Sequence, residues 1–242
     1  MAPIVISQPT FLPWLGYFDL IDQASDFVIL DQVQFAKRSW QQRNQIVTAQ
    51  GLKWVTVPVL VAGRRDQKIS DVEISTTADF PRKMLRMIEQ EYRKAPHFDT
   101  NFPAFEATVK SAAARGLAQL NIELIELFIG VLGIDTPLTI GSTLDVPGKR
   151  SDLLVGITQA MGADRYFSAR GAAEYLVDDA AVFAAAGIAV ELQSYEHPEY
   201  PQLHPGFAPY ASVIDVLFNV GPDSLDVIRS GRRENTRLED TA

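Results

Sequence analysis

The chain is predicted to be α/β, with a Rossmann-like, mainly parallel sheet and an inserted or capping helical region. Three observations predict this. The apolar run Ile4-Val5-Ile6, the helical run Tyr17–Ile21 and the apolar run Phe27–Leu30 read as a β-α-β unit. Strand and helix patterns alternate again between residues 138 and 192. The 242 residues are 47% hydrophobic, enough for one large domain, or one domain with an appended helical part.

The elements follow in order. After Ile4–Ile6 the chain breaks at Gln8-Pro9 and turns at Pro13 and Gly16 before the first helix. The second strand ends on Asp31, and a basic linker follows. Residues 54–60 are β-rich, with Pro58 marking an edge or a strand end. Gly63-Arg64-Arg65-Asp66 is a turn, and 68–75 suit a short return strand. Residues 79–131 are mostly helical, interrupted near Ala95-Pro96-His97 and jointed at Gly116. A strand is expected over 138–146, a helix over 150–161, a strand over 165–168 and a helix over about 178–186 that Gly187 caps. Residues 188–192 are the next strand. A Pro-rich loop runs from Tyr195 to Pro209, and helices cover about 211–219 and 222–229. The parts are therefore 1–78, the N-terminal part of the core; 79–135, a helical insertion or cap; 136–231, the C-terminal part of the core with closing helices; and 232–242, a polar, frayed tail. A cleft between sheet and cap is the expected pocket.

Composition narrows the chemistry. There is no cysteine, which excludes a thiol nucleophile, a Cys-rich zinc site and a disulfide framework. The net charge of −8 argues against broad nucleic-acid binding, which needs a large basic footprint. No apolar run reaches the roughly 18 residues that span a bilayer. The start of the chain does not have the form of a signal peptide. A cytoplasmic protein without membrane insertion is expected.

Candidate site residues cluster at strand ends, where parallel sheets bind ligands. Gln8 and Thr10 follow the first strand, and Asp31 ends the second. Lys37, Arg38 and Arg43 form a basic cluster with Trp40 between them and Asn44 next to Arg43. Arginine offers a planar fork for phosphate or carboxylate and lysine a point charge. Ser142 and Arg150 bracket one strand-to-helix junction, and Ser168 and Arg170 sit at another. His197 is the candidate general base. No His-x3-His or carboxylate-histidine cluster has ligand spacing, so no metal site is predicted. Walker, Gly-x-Ser-x-Gly and Gly-x-Gly-x-x-Gly patterns are absent.

Several of these segments resemble the WbqC-like family. They are Gln8-Pro9-Thr10-Phe11-Leu12-Pro13-Trp14-Leu15-Gly16-Tyr17-Phe18, the strand ending in Asp31, and Trp40-Gln41-Gln42-Arg43-Asn44. Tyr166-Phe167-Ser168, His197-Pro198-Glu199-Tyr200-Pro201-Gln202 and Asn219-Val220-Gly221 continue the likeness over most of the chain. The resemblance adds Tyr17, Tyr200 and Gln202 as substrate-binding candidates. It implies a role in surface-polysaccharide or other sugar biosynthesis, with transfer of a glycyl or similar acyl group to an amino sugar. A weaker similarity is to the nucleotidyltransferases, whose core would suit this chain. There a His-x-Gly-His motif opens the first helix; here Trp14-Leu15-Gly16-Tyr17 replaces both histidines.

The expected function is a small-molecule transferase. It would join an acyl or aminoacyl group to an amine of a sugar nucleotide or related metabolite, with His197 as base and Asp31 holding a hydroxyl or amine. An ATP-dependent amide ligase, with ATP and magnesium as cofactors, is the second reading. A noncatalytic ligand-binding or scaffold subunit is the third. The donor stays open among acyl-CoA, aminoacyl-tRNA and ATP with a free acid.

Overall fold

The computed structural model describes residues 3–241. Its main sheet has six strands: β1 (Ile4–Ser7), β2 (Asp26–Ile29), β5 (Leu138–Ile140), β6 (Arg165–Ser168), β7 (Ala189–Leu192) and β8 (Thr236–Arg237). Their order is β5-β2-β1-β6-β7-β8, parallel except for β8 against β7. Numbered along the chain within this sheet, that is 3-2-1-4-5-6, the doubly wound Rossmann order. Two further strands, β3 (Arg43–Thr48) and β4 (Gly51–Thr56), form an antiparallel hairpin.

The period of two along each strand decides which residue meets which layer. Val5, Phe27, Ile29 and Phe167 point to one face. There they meet α1 (Leu15–Gln23), α3 (Phe98–Ala112), α4 (Leu117–Leu132) and α8 (Val213–Asn219) through Phe18, Phe105, Phe128 and Val216. Ile4, Ile6, Val28 and Tyr166 point to the other face. They meet Leu154 and Ile157 of α5 (Arg150–Ala160), Leu176 of α6 (Ala173–Asp178) and Phe183 of α7 (Ala180–Ala185). α2 (Arg82–Tyr92) and α9 (Ser224–Ser230) join the first layer, through Ile88 and Ile228. The helices before β5, together with α8 and α9, cover one face and α5–α7 cover the other, so the sheet is covered on both sides.

Several expectations differ from this structure: the linker expected after Asp31 contains β3, the strand expected over 54–60 runs from Gly51 to Thr56, and the helix expected over about 178–186 starts at Ala180, after a separate α6. The strand expected over 138–146 stops at Ile140, and 141–144 form a 3-10 turn. The return strand expected over 68–75 survives as single bridges, Gln34 to Lys68 and Val59 to Ile74, around a 3-10 turn at Ile69–Asp71. The segment from Arg232 packs rather than frays. Arg232 reaches the fully buried Asp19 and its neighbour Asp22, and Thr236-Arg237 completes the sheet edge. No described helix is long and apolar enough to cross a membrane.

Candidate functional site

In this strand order the chain leaves β1 toward β2 and leaves β6 toward β7. The two neighbours therefore diverge, and a crevice opens beyond their carboxyl ends. A cavity of about 1200 Å³ lies there. Ser7 and Gln8 at the end of β1 and Ser168 at the end of β6 line it. Lys149 and Arg150 at the start of α5, Lys68, Asp66, and Asp178 and Asp179 at the end of α6 complete the charged part of the wall.

The rim is built by long-range ties. Asp31 lies past β2, and its carboxylate accepts from the Ser142 amide at 2.9 Å and the Ser142 hydroxyl at 2.7 Å. That bond fixes the loop after β5 to the loop after β2. Ser151 Oγ donates to Asp179 at 2.6 Å and holds the start of α5 to the end of α6. Between these ties Gly148 has φ +123° and Arg150 φ +52°. A non-glycine residue in the left-handed region costs about 1–3 kcal/mol and persists only where surroundings impose it. That turn sets both Lys149 and Arg150 at the cavity wall.

Charge in the cavity is of both signs. Lys68, Lys149 and Arg150 form no ion pair among the described residues, although nine other cations do. Asp178 is exposed and also forms none. At an effective dielectric constant of 20, one charge pair at 4 Å is worth about 4 kcal/mol before desolvation. Uncommitted cations beside an uncommitted carboxylate suit a ligand with an anionic and an amine end. Burial pushes the Tyr166 phenol up, so it stays protonated and donates to Ser168 Oγ at 3.2 Å.

The predicted site residues do not gather in one place. Gln8, Arg150 and Ser168 line the cavity. Arg170 is exposed just past β6. Asp31 and Ser142 satisfy each other at the rim. Lys37 lines a smaller neighbouring pocket.

The Trp-x-x-Arg-Asn segment is divided. Buried Asn44 donates to the carbonyls of Phe11 and Leu12, at 3.3 and 2.7 Å, and holds the turn after β1, where Leu12 has φ +45°. The Arg43 guanidinium lies 4.2 Å from the Trp54 ring centroid, and exposed Trp40 is 5.4 Å from the same ring. Exposed Arg38 has φ +58° and takes Gln42 Oε1 on its amide. Gln8 Oε1 accepts from Gln41 Nε2 at 2.7 Å, Tyr17 OH donates to the Gln8 carbonyl at 3.1 Å, and buried Thr10 Oγ1 has no hydrogen-bond partner among the described residues.

His197 stands elsewhere, among Trp14, Tyr200, Phe207 and Tyr210. Its Nδ1 is 3.0 Å from the Pro198 carbonyl, and its buried Nε2 has no partner among the described residues. Burial lowers its pKa, against the raising effect of the Pro198 carbonyl. Tyr200 and Gln202, from the same loop, donate to the buried carboxylate of Asp215 at 2.9 Å each, as does Tyr92. None of these residues lines the cavity, and nor does any residue of 79–135. The helices of that segment bury Phe102, Phe105 and Phe128 on the sheet face instead of covering the cleft.

Lys68, Lys149, Asp178 and Asp179 carried no signal in the sequence beyond their charge. Lys68 enters the wall because the segment 67–70 is pinned along 31–35, through Phe35 N to Gln67 O at 2.8 Å and Ile69 N to Val33 O at 2.9 Å. Lys149 lies one residue before Arg150, so that junction was visible; Asp178 and Asp179 depend on how α6 packs.

The protein is thus doubly wound α/β, with a cleft that carries charges of both signs at its switch point. The model of the WbqC-like protein family matches residues 8–227, and the chain belongs to that family. It is 36% identical over 234 residues to an uncharacterized protein, Rv1507c, of Mycobacterium tuberculosis (strain ATCC 25618 / H37Rv). That match covers 96% of this chain and all of the relative. No solved structure matches.

Proposed function

We propose that the protein is a small-molecule transferase that joins an acyl or aminoacyl group to an amine of a sugar nucleotide or related metabolite. The switch-point cleft is its acceptor site. The observation that carries this reading is the pairing of uncommitted Lys68, Lys149 and Arg150 with uncommitted Asp178 in one cavity. The cations hold phosphate, and the carboxylate holds the ammonium. In the reaction the deprotonated amine nitrogen attacks the acyl carbonyl. One proton of the ammonium passes to a carboxylate before attack; an N–C bond then forms, the bond to the donor's leaving group breaks, and that group departs with the electron pair and takes up the second N–H proton. Asp178 is that carboxylate, because both oxygens of Asp31 already accept from Ser142 and His197 is ringed by aromatic side chains.

Calorimetry with nucleotide-linked amino sugars and their hydroxyl counterparts tests it. The amine form should bind at least tenfold tighter. Asp178→Ala should erase that preference, and Lys149→Ala/Arg150→Ala should weaken both ligands. Equal affinity for amine and hydroxyl forms in the wild type overturns the acceptor assignment. Retained binding without product by mass spectrometry, across acyl-CoAs, aminoacyl-tRNA and ATP with amino acids, replaces transfer with a binding or scaffold role.

A further inference from the structure

A second cavity of about 220 Å³ adjoins the cleft, and Gln34 and Asp66 line both. Its other charged walls are Lys37, Arg64 and Arg65. Arg64 is paired with Glu73 at 2.6 Å, while Lys37 and Arg65 form no ion pair among the described residues. Asp66, the one carboxylate in the lining, accepts from Gln34 Nε2 at 2.8 Å across the boundary between the two cavities. In an acidic chain of net charge −8, Lys37 and Arg65 thus stand without a carboxylate at ion-pair distance among the described residues.

The same backbone ladder builds both cavities. Residues 67–69 run antiparallel to 33–35, with Gln34 bridged to Lys68. Lys68 lines the cleft and Gln67 lines the smaller pocket. Beyond the ladder, Asp66 adopts φ +57°, which turns the chain back so that Arg64 and Arg65 meet Lys37. The cationic walls of the two cavities are thus fixed relative to each other.

We infer that this pocket is an anion subsite for a second substrate and takes a phosphate or diphosphate group. Its volume is that of about seven waters at roughly 30 Å³ each, which admits a diphosphate but not a whole nucleotide. The remainder of such a ligand extends past Gln34 and Asp66 into the cleft. Arginine and lysine without carboxylate partners favour a phosphate-bearing donor over a neutral one. A nucleoside triphosphate and coenzyme A share that chemistry. The inference rests on the cleft being the acceptor site only for which molecule the subsite serves; the binding of the anion is independent of it.

Calorimetry at low salt with inorganic pyrophosphate, on the full chain, tests the subsite. Lys37 and Arg65 are both exposed, so Lys37→Ala/Arg65→Ala should fold as the wild type. That variant should lose at least tenfold in pyrophosphate affinity at this subsite, and the subsite's binding should survive in Lys149→Ala/Arg150→Ala, which removes only the phosphate-holding cations of the cleft. Failure of pyrophosphate to bind the wild type overturns the inference. So does the reverse pattern, with loss only in the Lys149/Arg150 variant. ATP and coenzyme A are then titrated in parallel. The one that binds tighter than pyrophosphate and loses that affinity in Lys37→Ala/Arg65→Ala is the donor type. If neither exceeds pyrophosphate, no donor extends from this pocket and the second-substrate assignment fails. Loss of the amine preference in the cleft with retained pyrophosphate binding would instead fault the acceptor assignment alone.

Discussion

Replacing Arg232 with methionine should destabilise the protein by about 2–3 kcal/mol. Asp19 lies on α1 and is fully buried. Its Oδ1 accepts from Arg232 Nε at 2.8 Å, and its Oδ2 accepts from Gln23 and Gln193 amides at 2.7 Å each. Without the guanidinium, two neutral amides remain around a full negative charge. Breaking a buried ion pair by removing one partner costs about 3–5 kcal/mol. The Arg232 side chain is 32% exposed, so water enters where it stood, which brings the figure down. Asp22 loses the same guanidinium but keeps Arg229 at 2.7 Å. For a chain of this size, melting should fall by roughly 4–12 °C.

Urea denaturation reads the effect, with Asp19→Asn/Arg232→Met as the partner measurement. An asparagine at 19 removes the orphaned charge while its oxygen still accepts from Gln23 and Gln193. The double variant should therefore recover at least about 1 kcal/mol over Arg232→Met. A double variant no more stable than Arg232→Met would refute the charge argument and assign the loss to the arginine stem's packing. A loss below about 0.5 kcal/mol in Arg232→Met would refute the idea that this tie anchors the C-terminal segment.

Asp215→Ala should cost about 3 kcal/mol in urea denaturation, because Tyr92, Tyr200 and Gln202 would all lose their acceptor; Asp215→Asn should cost less than half of that. His197 should make stability fall on the acid side. Its folded pKa is depressed below 6.5, so stability present above that value is lost as pH drops through the folded pKa. His197→Gln should flatten the loss between about pH 7 and pH 5, and an unchanged slope would refute the assignment. Gly16→Ala places a Cβ 2.3 Å from the Trp14 ring. It should cost about 1–3 kcal/mol and shift Trp14 emission in a Trp40→Phe/Trp54→Phe background; unaltered emission and stability would show that Trp14 is not held there.

The β-α-β opening was legible because each piece is local. Ile4–Ile6 and Phe27–Ile29 are continuous apolar runs, as strands buried on both faces must be. The end of α7 was equally visible, since Gly187 takes φ +70°. The candidate site was legible only in part. Gln8, Arg150 and Ser168 lie beyond strand ends, where topology alone predicts ligands, and they line the cleft. Lys68 and Asp178 do not announce themselves, because their place depends on the ladder along 31–35 and on the packing of α6.

The sequence by itself determined the family, the alternation of strands and helices, and the polar chemistry at the ends of β1 and β6. These follow from side-chain period and from motifs read along one stretch of chain. The tertiary structure alone decided the strand order and the cleft that it opens. It also decided the partition of the basic cluster between a pocket and an aromatic stack, and the docking of Arg232 on α1. Each of these joins residues far apart in the chain, such as Asp19 with Arg232 and Asp31 with Ser142. Such bonds are set by how layers pack, and local pattern carries no record of which distant partner a buried charge will meet.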